Sequence, residues 1–188
     1  MSDLDLLDLA EAAYTQPPTW QAQDVFAISR GSMVACQGTE PDNPGEWIRD
    51  LDALPVFREG LGYVHQGFID GAEAIFASVL AAKPRILTGH SLGGALALCL
   101  AALLVRAGAN PALVVTFGAP RVGQGAMRAL LAPVVIREYR CGDDPVPLVP
   151  TFFSHMLVPI QIGEPALDPI ADHFLAAYRA GMLGMAPA

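Results

Sequence analysis

A chain of 188 residues suits one domain built around a single sizeable core. With 53% apolar and only 16% charged residues, the composition excludes intrinsic disorder and leaves room for an exposed apolar patch of the kind a lipid-facing protein needs. The net charge of −8 sets an acidic surface against phosphate backbones, and there is no basic run, so no nucleic acid is expected as a partner.

The opening stretch, MSDLDLLDLAEAAY, lacks both the positive start and the apolar run of a secretory signal. Its Leu6, Leu9, Ala10, Ala13 and Tyr14 recur at helical spacing, which predicts an amphipathic helix ending near Pro17-Pro18. Asp24 to Ser29 and Ser32 to Gln37 are short β-type runs around Arg30-Gly31 and read as a hairpin. Glu40 to Asp50 is polar, with two prolines and a glycine, and reads as an exposed loop or a minimal lid.

Tyr63 to His65 is a strand candidate, and Phe68, Ile69, Ala72, Ile75, Phe76, Val79 and Leu80 trace one face of a helix. Arg85 to Thr88 is an apolar strand, and Leu92 to Ala107 is apolar on every face, which marks a buried helix. Strand, helix and strand follow at Leu113 to Phe117, Gln124 to Leu131 and Val134 to Tyr139. Met156 to Ile162, interrupted by Pro159, is expected as a strand near a sheet edge. Ile170, Phe174, Ala177, Tyr178 and Met182 define a closing helix.

The alternation implies parallel strands joined by crossover helices, hence one α/β domain over residues 1–188. The longest apolar stretch, Leu92 to Val105, is too short to cross a bilayer, so no transmembrane segment is expected. Three cysteines without metal-ligand spacing fit a reducing compartment, and the expected location is cytoplasmic, with export lacking a cleaved signal as the alternative.

The segment Ile86-Leu87-Thr88-Gly89-His90-Ser91-Leu92-Gly93-Gly94 reads as strand, tight turn and buried helix. A serine on such a turn projects its Oγ above the sheet, and flanking glycines permit close backbone approach. The following helix aims its dipole and its first N–H groups at the site, so the Leu92 amide can donate to a developing oxyanion. This is the arrangement of a nucleophilic serine in an α/β-hydrolase.

Functional groups in open parallel sheets lie beyond the carboxyl ends of the strands. Asp143 and Asp144 follow the strand ending near Tyr139, and Thr39 follows the strand ending near Gln37. His173 follows the last strand, whereas His155 precedes it. The order is then Ser91, an aspartate, His173, with spacing alone unable to choose between Asp143 and Asp144. His173 would take and return the serine proton while the aspartate fixes its tautomer. His155, His65 and His90 read as structural, the last as a support of the turn, and Asp172 as a helix-start residue.

Taken together, GHSLGGALA at 89–97, TFGAPRVG at 116–123 and DDPVPLVP at 143–150 resemble the fungal-type, class 3 lipase family. DHFLAAY at 172–178 resembles the segment bearing the family's catalytic histidine, and Ser154-His155 a structural step. GEWIRDL at 45–51 resembles a lid segment carrying a tryptophan, here Trp47, and VHQGF at 64–68 the element after it. The resemblance selects Asp144 as the triad acid and implies a mixed sheet and esterase or lipase chemistry. It also implies a second oxyanion donor, which falls on Thr39 in Gln37-Gly38-Thr39.

The resulting expectation is a carboxylic ester hydrolase that works by acyl-enzyme formation on a small-molecule or lipid ester, favouring short or medium acyl chains. Its triad is Ser91, Asp144 and His173, with oxyanion donors Leu92 and Thr39 and Trp47 in the lid. No metal or organic cofactor is expected. Phospholipid deacylation or acyl transfer on the same triad, and a non-catalytic binding module on this fold, are the alternatives.

Overall fold

The structure is a computed structural model and describes residues 1–38 and 55–185. Helix α1 (Asp3–Thr15) starts at a capping box, in which the Ser2 hydroxyl accepts from the Asp5 amide and the Asp5 carboxylate accepts from the Ser2 amide. It stops near where expected, at Thr15, two residues before Pro17. The hairpin is present as β2 (Val25–Arg30) and β3 (Met33–Cys36), and a short β1 (Trp20–Ala22), not foreseen from the sequence, pairs with β2. Three residues carry too little periodicity to announce a strand.

Strands β4 (Pro55–Arg58) and β5 (Gly62–His65) form a separate antiparallel pair, after which come α2 (Gln66–Ala82), β6 (Ile86–His90) and α3 (Leu92–Arg106). Next are β7 (Leu113–Phe117), α4 (Gly125–Leu130), β8 (Val135–Cys141), β9 (Ile160–Ile162) and α5 (Leu175–Gly184).

The main sheet has seven strands in the order β1-β2-β3-β6-β7-β8-β9. It is antiparallel at β1-β2-β3 and parallel from β3 to β9. Side chains alternate between its two faces, so on β7 Val114 joins a core formed with α2 and α3, while Val115 and Phe117 join one formed with α1 and α5. Helix α3 is buried along nearly its whole length, from Gly93 to Leu104, which explains the absence of a polar stripe in its sequence.

Two expected elements are shorter than their patterns. The strand candidate Met156 to Ile162 narrows to Ile160–Ile162 at the edge, since Pro159 has no N–H to add to a ladder. The closing helix begins at Leu175, because Phe174 is extended (φ −73°, ψ 147°) and Ala171–His173 form a tight 3-10 turn instead. The lid-like segment 40–50 and Trp47 lie outside the described residues.

The register sets the carboxyl ends of β3, β6, β7 and β8 side by side, with Cys36 opposite Gly89, His90 opposite Phe117, and Phe117 opposite Tyr139. The turns that leave β6, β7 and β8 therefore lie on the same edge of the sheet. The buried helix α3 packs against β3, β6 and β7 of this sheet. Replacing the fully buried Leu100 with alanine should therefore cost about 2–5 kcal/mol in urea denaturation, whereas Leu167→Ala, at a fully exposed position, should be neutral.

Candidate active site

Ser91 occupies the single residue between β6 and α3, with φ 57° and ψ −131°. A non-glycine residue rarely adopts this conformation, and it costs on the order of 1–3 kcal/mol. The turn is held because the Ser91 amide donates to the Phe117 carbonyl (2.9 Å) and the Ser91 carbonyl accepts from the Gly94 amide (2.9 Å). A Cβ on Gly89 would overlap the backbone of Gly93, so strand and helix approach this closely only because Gly89 has no side chain.

The Ser91 hydroxyl lies 2.9 Å from His173 Nε2, and His173 Nδ1 lies 2.9 Å from Asp144 Oδ2. A carboxylate only accepts, so the proton sits on Nδ1 and leaves Nε2 free to accept from Ser91. Asp144 is fully buried and its charge is well partnered. Oδ2 also accepts from the Tyr178 hydroxyl (2.6 Å), and Oδ1 accepts from the Val146 amide (2.9 Å). Burial first, and the neighbouring Asp144 charge second, push the Tyr178 hydroxyl well above the usual phenol range. Tyr178 is thus a fixed donor to the carboxylate.

Asp143 points elsewhere. Its side chain is largely exposed, 3.9 Å from Arg140, and only its backbone contributes, donating to Asp172 Oδ2 (2.8 Å). Asp172 is not a plain helix-start residue. Its buried carboxylate accepts from the Asp143 and Ala166 amides, which ties the turn carrying Asp144 to the loop carrying His173.

The remaining histidines take structural places. His155 Nδ1 meets the buried Glu138 at 3.2 Å. His65 caps α2 by accepting from the Phe68 amide and stacks on the Phe68 ring at 3.6 Å. His90, inside the elbow, reaches the backbone of His173.

The Leu92 amide stands at the first position of α3, where a helix leaves its N–H groups without intrahelical partners. Thr39, the second expected oxyanion donor, lies outside the described residues, as does Trp47. Among the described residues, no group of three or more His, Cys, Asp or Glu side chains could hold a metal ion.

Sequence reasoning missed Tyr178 and Asp172 as parts of this site. Tyr178 was legible only as one position of an apolar helical face. Its hydroxyl was the available signal, since a buried phenol must find a partner.

A serine on a strained strand-to-helix turn, an imidazole and a buried carboxylate at the carboxyl edge of this sheet define an α/β-hydrolase with a serine–histidine–aspartate constellation. The class 3 lipase family model matches residues 33–154, and the chain belongs to that family.

Relatives include a secreted mono- and diacylglycerol lipase of Fusarium solani, 38% identical over 140 residues (68% of this chain, 40% of the relative). A chloroplastic phospholipase A1 of Arabidopsis thaliana is 36% identical over 119 residues (54% of this chain, 16% of the relative). Among solved structures, a triacylglyceride lipase of Rhizomucor miehei superposes with a TM-score of 0.61 at 26% identity, covering 77% of this chain and 64% of that one. The chain thus spans less than half the length of these curated relatives.

The geometry separates the paired aspartates. Asp144→Asn should lower kcat by about 10⁴-fold, because an amide favours the wrong histidine tautomer. Asp143→Asn should stay within about threefold of the unmodified protein in the same ester assay.

Proposed function

We propose that this chain is a serine carboxylic ester hydrolase that works through an acyl-enzyme on Ser91. The reading is carried by the contact of Ser91 Oγ with His173 Nε2 at 2.9 Å, backed by the buried Asp144. Ser91 Oγ attacks the ester carbonyl carbon as its proton passes to His173 Nε2. The carbonyl oxygen becomes an oxyanion, which the Leu92 and Thr39 amides stabilise.

Collapse breaks the bond to the alcohol oxygen, which leaves with the proton from His173. Water, deprotonated by the same nitrogen, then attacks the acyl carbon; the bond to Ser91 Oγ breaks as His173 returns that proton to Oγ, and the acid is released. Asp144 stays ionised and stabilises the imidazolium in both halves.

The substrate is a small-molecule or lipid ester with a short or medium acyl chain. Support comes from segment 40–50, where Trp47 and Ile48 are the only large apolar residues. Two such side chains offer about 3–6 kcal/mol of burial at an oil–water interface, too little for steep interfacial activation. The Fusarium relative's name supports partial glycerides, and the Arabidopsis relative's name favours phospholipid deacylation as the second reading.

No helix among the described residues is long and apolar enough to cross a membrane. Cys36, Cys99 and Cys141 are free and buried, which supports the cytoplasmic location expected from the sequence, although the Fusarium relative is secreted.

Ser91→Ala should lower kcat by at least about 10⁴-fold with its circular dichroism unchanged, and a variant keeping a tenth of the turnover overturns the assignment. An ester panel of stepped chain length, with a matching phospholipid, checks the substrate. Rates should fall from short and medium to long chains and show no steep jump at the solubility limit. Faster turnover of long-chain emulsions would contradict the preference.

A further inference from the structure

His90 sits between the nucleophile strand and the histidine loop, buried at 6% exposure, with both ring nitrogens in use. Its Nε2 is 2.7 Å from the carbonyl oxygen of His173. A carbonyl only accepts, so the proton is on Nε2, and Nδ1 is left as an acceptor. The donor on that side is the Tyr14 hydroxyl, 3.0 Å away in the last turn of α1. One oriented chain therefore runs from Tyr14 through the His90 ring to the backbone of His173.

We propose that Tyr14 and His90 form a positioning relay by which the N-terminal helix holds the His173 backbone, and with it the reacting imidazole, in line with Ser91.

His173 is the last residue of a three-residue 3-10 turn, where its amide donates to the Ile170 carbonyl (3.1 Å) and its carbonyl is met by His90. Asp144 fixes the ring from one side, and the His90 contact adds a second hold on the backbone about which the ring turns. The two rings are 4.8 Å apart. Burial, reinforced by the neighbouring His173, drives the His90 ring down to about 3, so it stays neutral when its neighbour takes the serine proton. A charged group at this distance would oppose the imidazolium on which both half-reactions depend.

The relay also touches the third segment of the site. A Cβ on Gly38 would overlap the Tyr14 hydroxyl and stand 2.7 Å from the His90 carbonyl. Tyr14 thus packs directly under the residue before Thr39. Helix α1 is in turn fixed on the sheet, because Asp3 accepts from Arg137 (2.6 Å) and from the Tyr139 hydroxyl (2.7 Å), and the Thr88 hydroxyl donates to the Leu6 carbonyl (3.4 Å).

The inference rests on the serine hydrolase reading, and its test separates the two. Fluorophosphonate should label unmodified protein stoichiometrically at Ser91, and failure to label would overturn the hydrolase reading alone. Tyr14→Phe keeps the ring and should lower kcat about 5- to 20-fold with KM within about twofold. His90→Leu should lower it about 100-fold, and the double variant should be no worse than His90→Leu, as members of one chain are not additive. His90→Gln, whose amide can still donate to the His173 carbonyl, should recover to within about fivefold of the unmodified protein.

Full kcat in both single variants, or losses confined to melting temperature with turnover per labelled site unchanged, would overturn the relay. Imidazole nitrogen NMR reads the relay without turnover. The proton should be on Nε2 of His90, and Tyr14→Phe should shift or broaden the His173 ring signals, whereas an unchanged His173 spectrum would contradict the proposal.

Discussion

The site depends on one buried carboxylate. Asp144 is removed from water entirely, and an isolated ionised carboxyl in that position would cost several kcal/mol or lose its charge. Three donors offset this: the Val146 amide on one oxygen, and His173 Nδ1 and the Tyr178 hydroxyl on the other. These bonds also do the positioning. They come from the acid turn itself, from the histidine loop and from α5, so three segments converge on this one carboxylate.

The sheet makes that convergence possible. Parallel strands β6, β7 and β8 end in register, and the turns after β6 and β8 carry Ser91 and Asp144 to one edge. His173 arrives from beyond β9, across a longer loop, where its amide donates to the Ile170 carbonyl. It is also braced from other segments: Asp172 ties its loop to the acid turn, Asp144 takes its ring and His90 takes its carbonyl. The strained Ser91 turn is the opposite case, rigid through its own backbone bonds to Phe117 and Gly94.

Much of this was legible in the sequence because the signals were local. The apolar strand, framed serine and all-apolar helix at 86–106 are contiguous, and their conformation follows from spacing and glycine placement. The order of serine, aspartate and histidine followed from strand ends. The choice of Asp144 over its neighbour did not follow from spacing, since adjacent residues share a strand end; the resemblance at DDPVP made it, and burial of one side chain and exposure of the other distinguish them. Tyr178, Asp172 and Tyr14 were illegible in their present places because each acts across a long separation in the chain. A phenol on a helical face looks like core until its hydroxyl's partner is known. The 3-10 turn at Ala171–His173 was hidden inside a pattern that fits a longer helix.

The central claim is that Ser91 becomes acylated. Protein mixed with a short-chain activated ester and quenched in acid within the first turnovers should gain the mass of one acyl group, lost over time without the quench. Peptide mapping should place that group on Ser91. An adduct on another residue, or ester turnover with no mass gain at any quench time, would contradict the account.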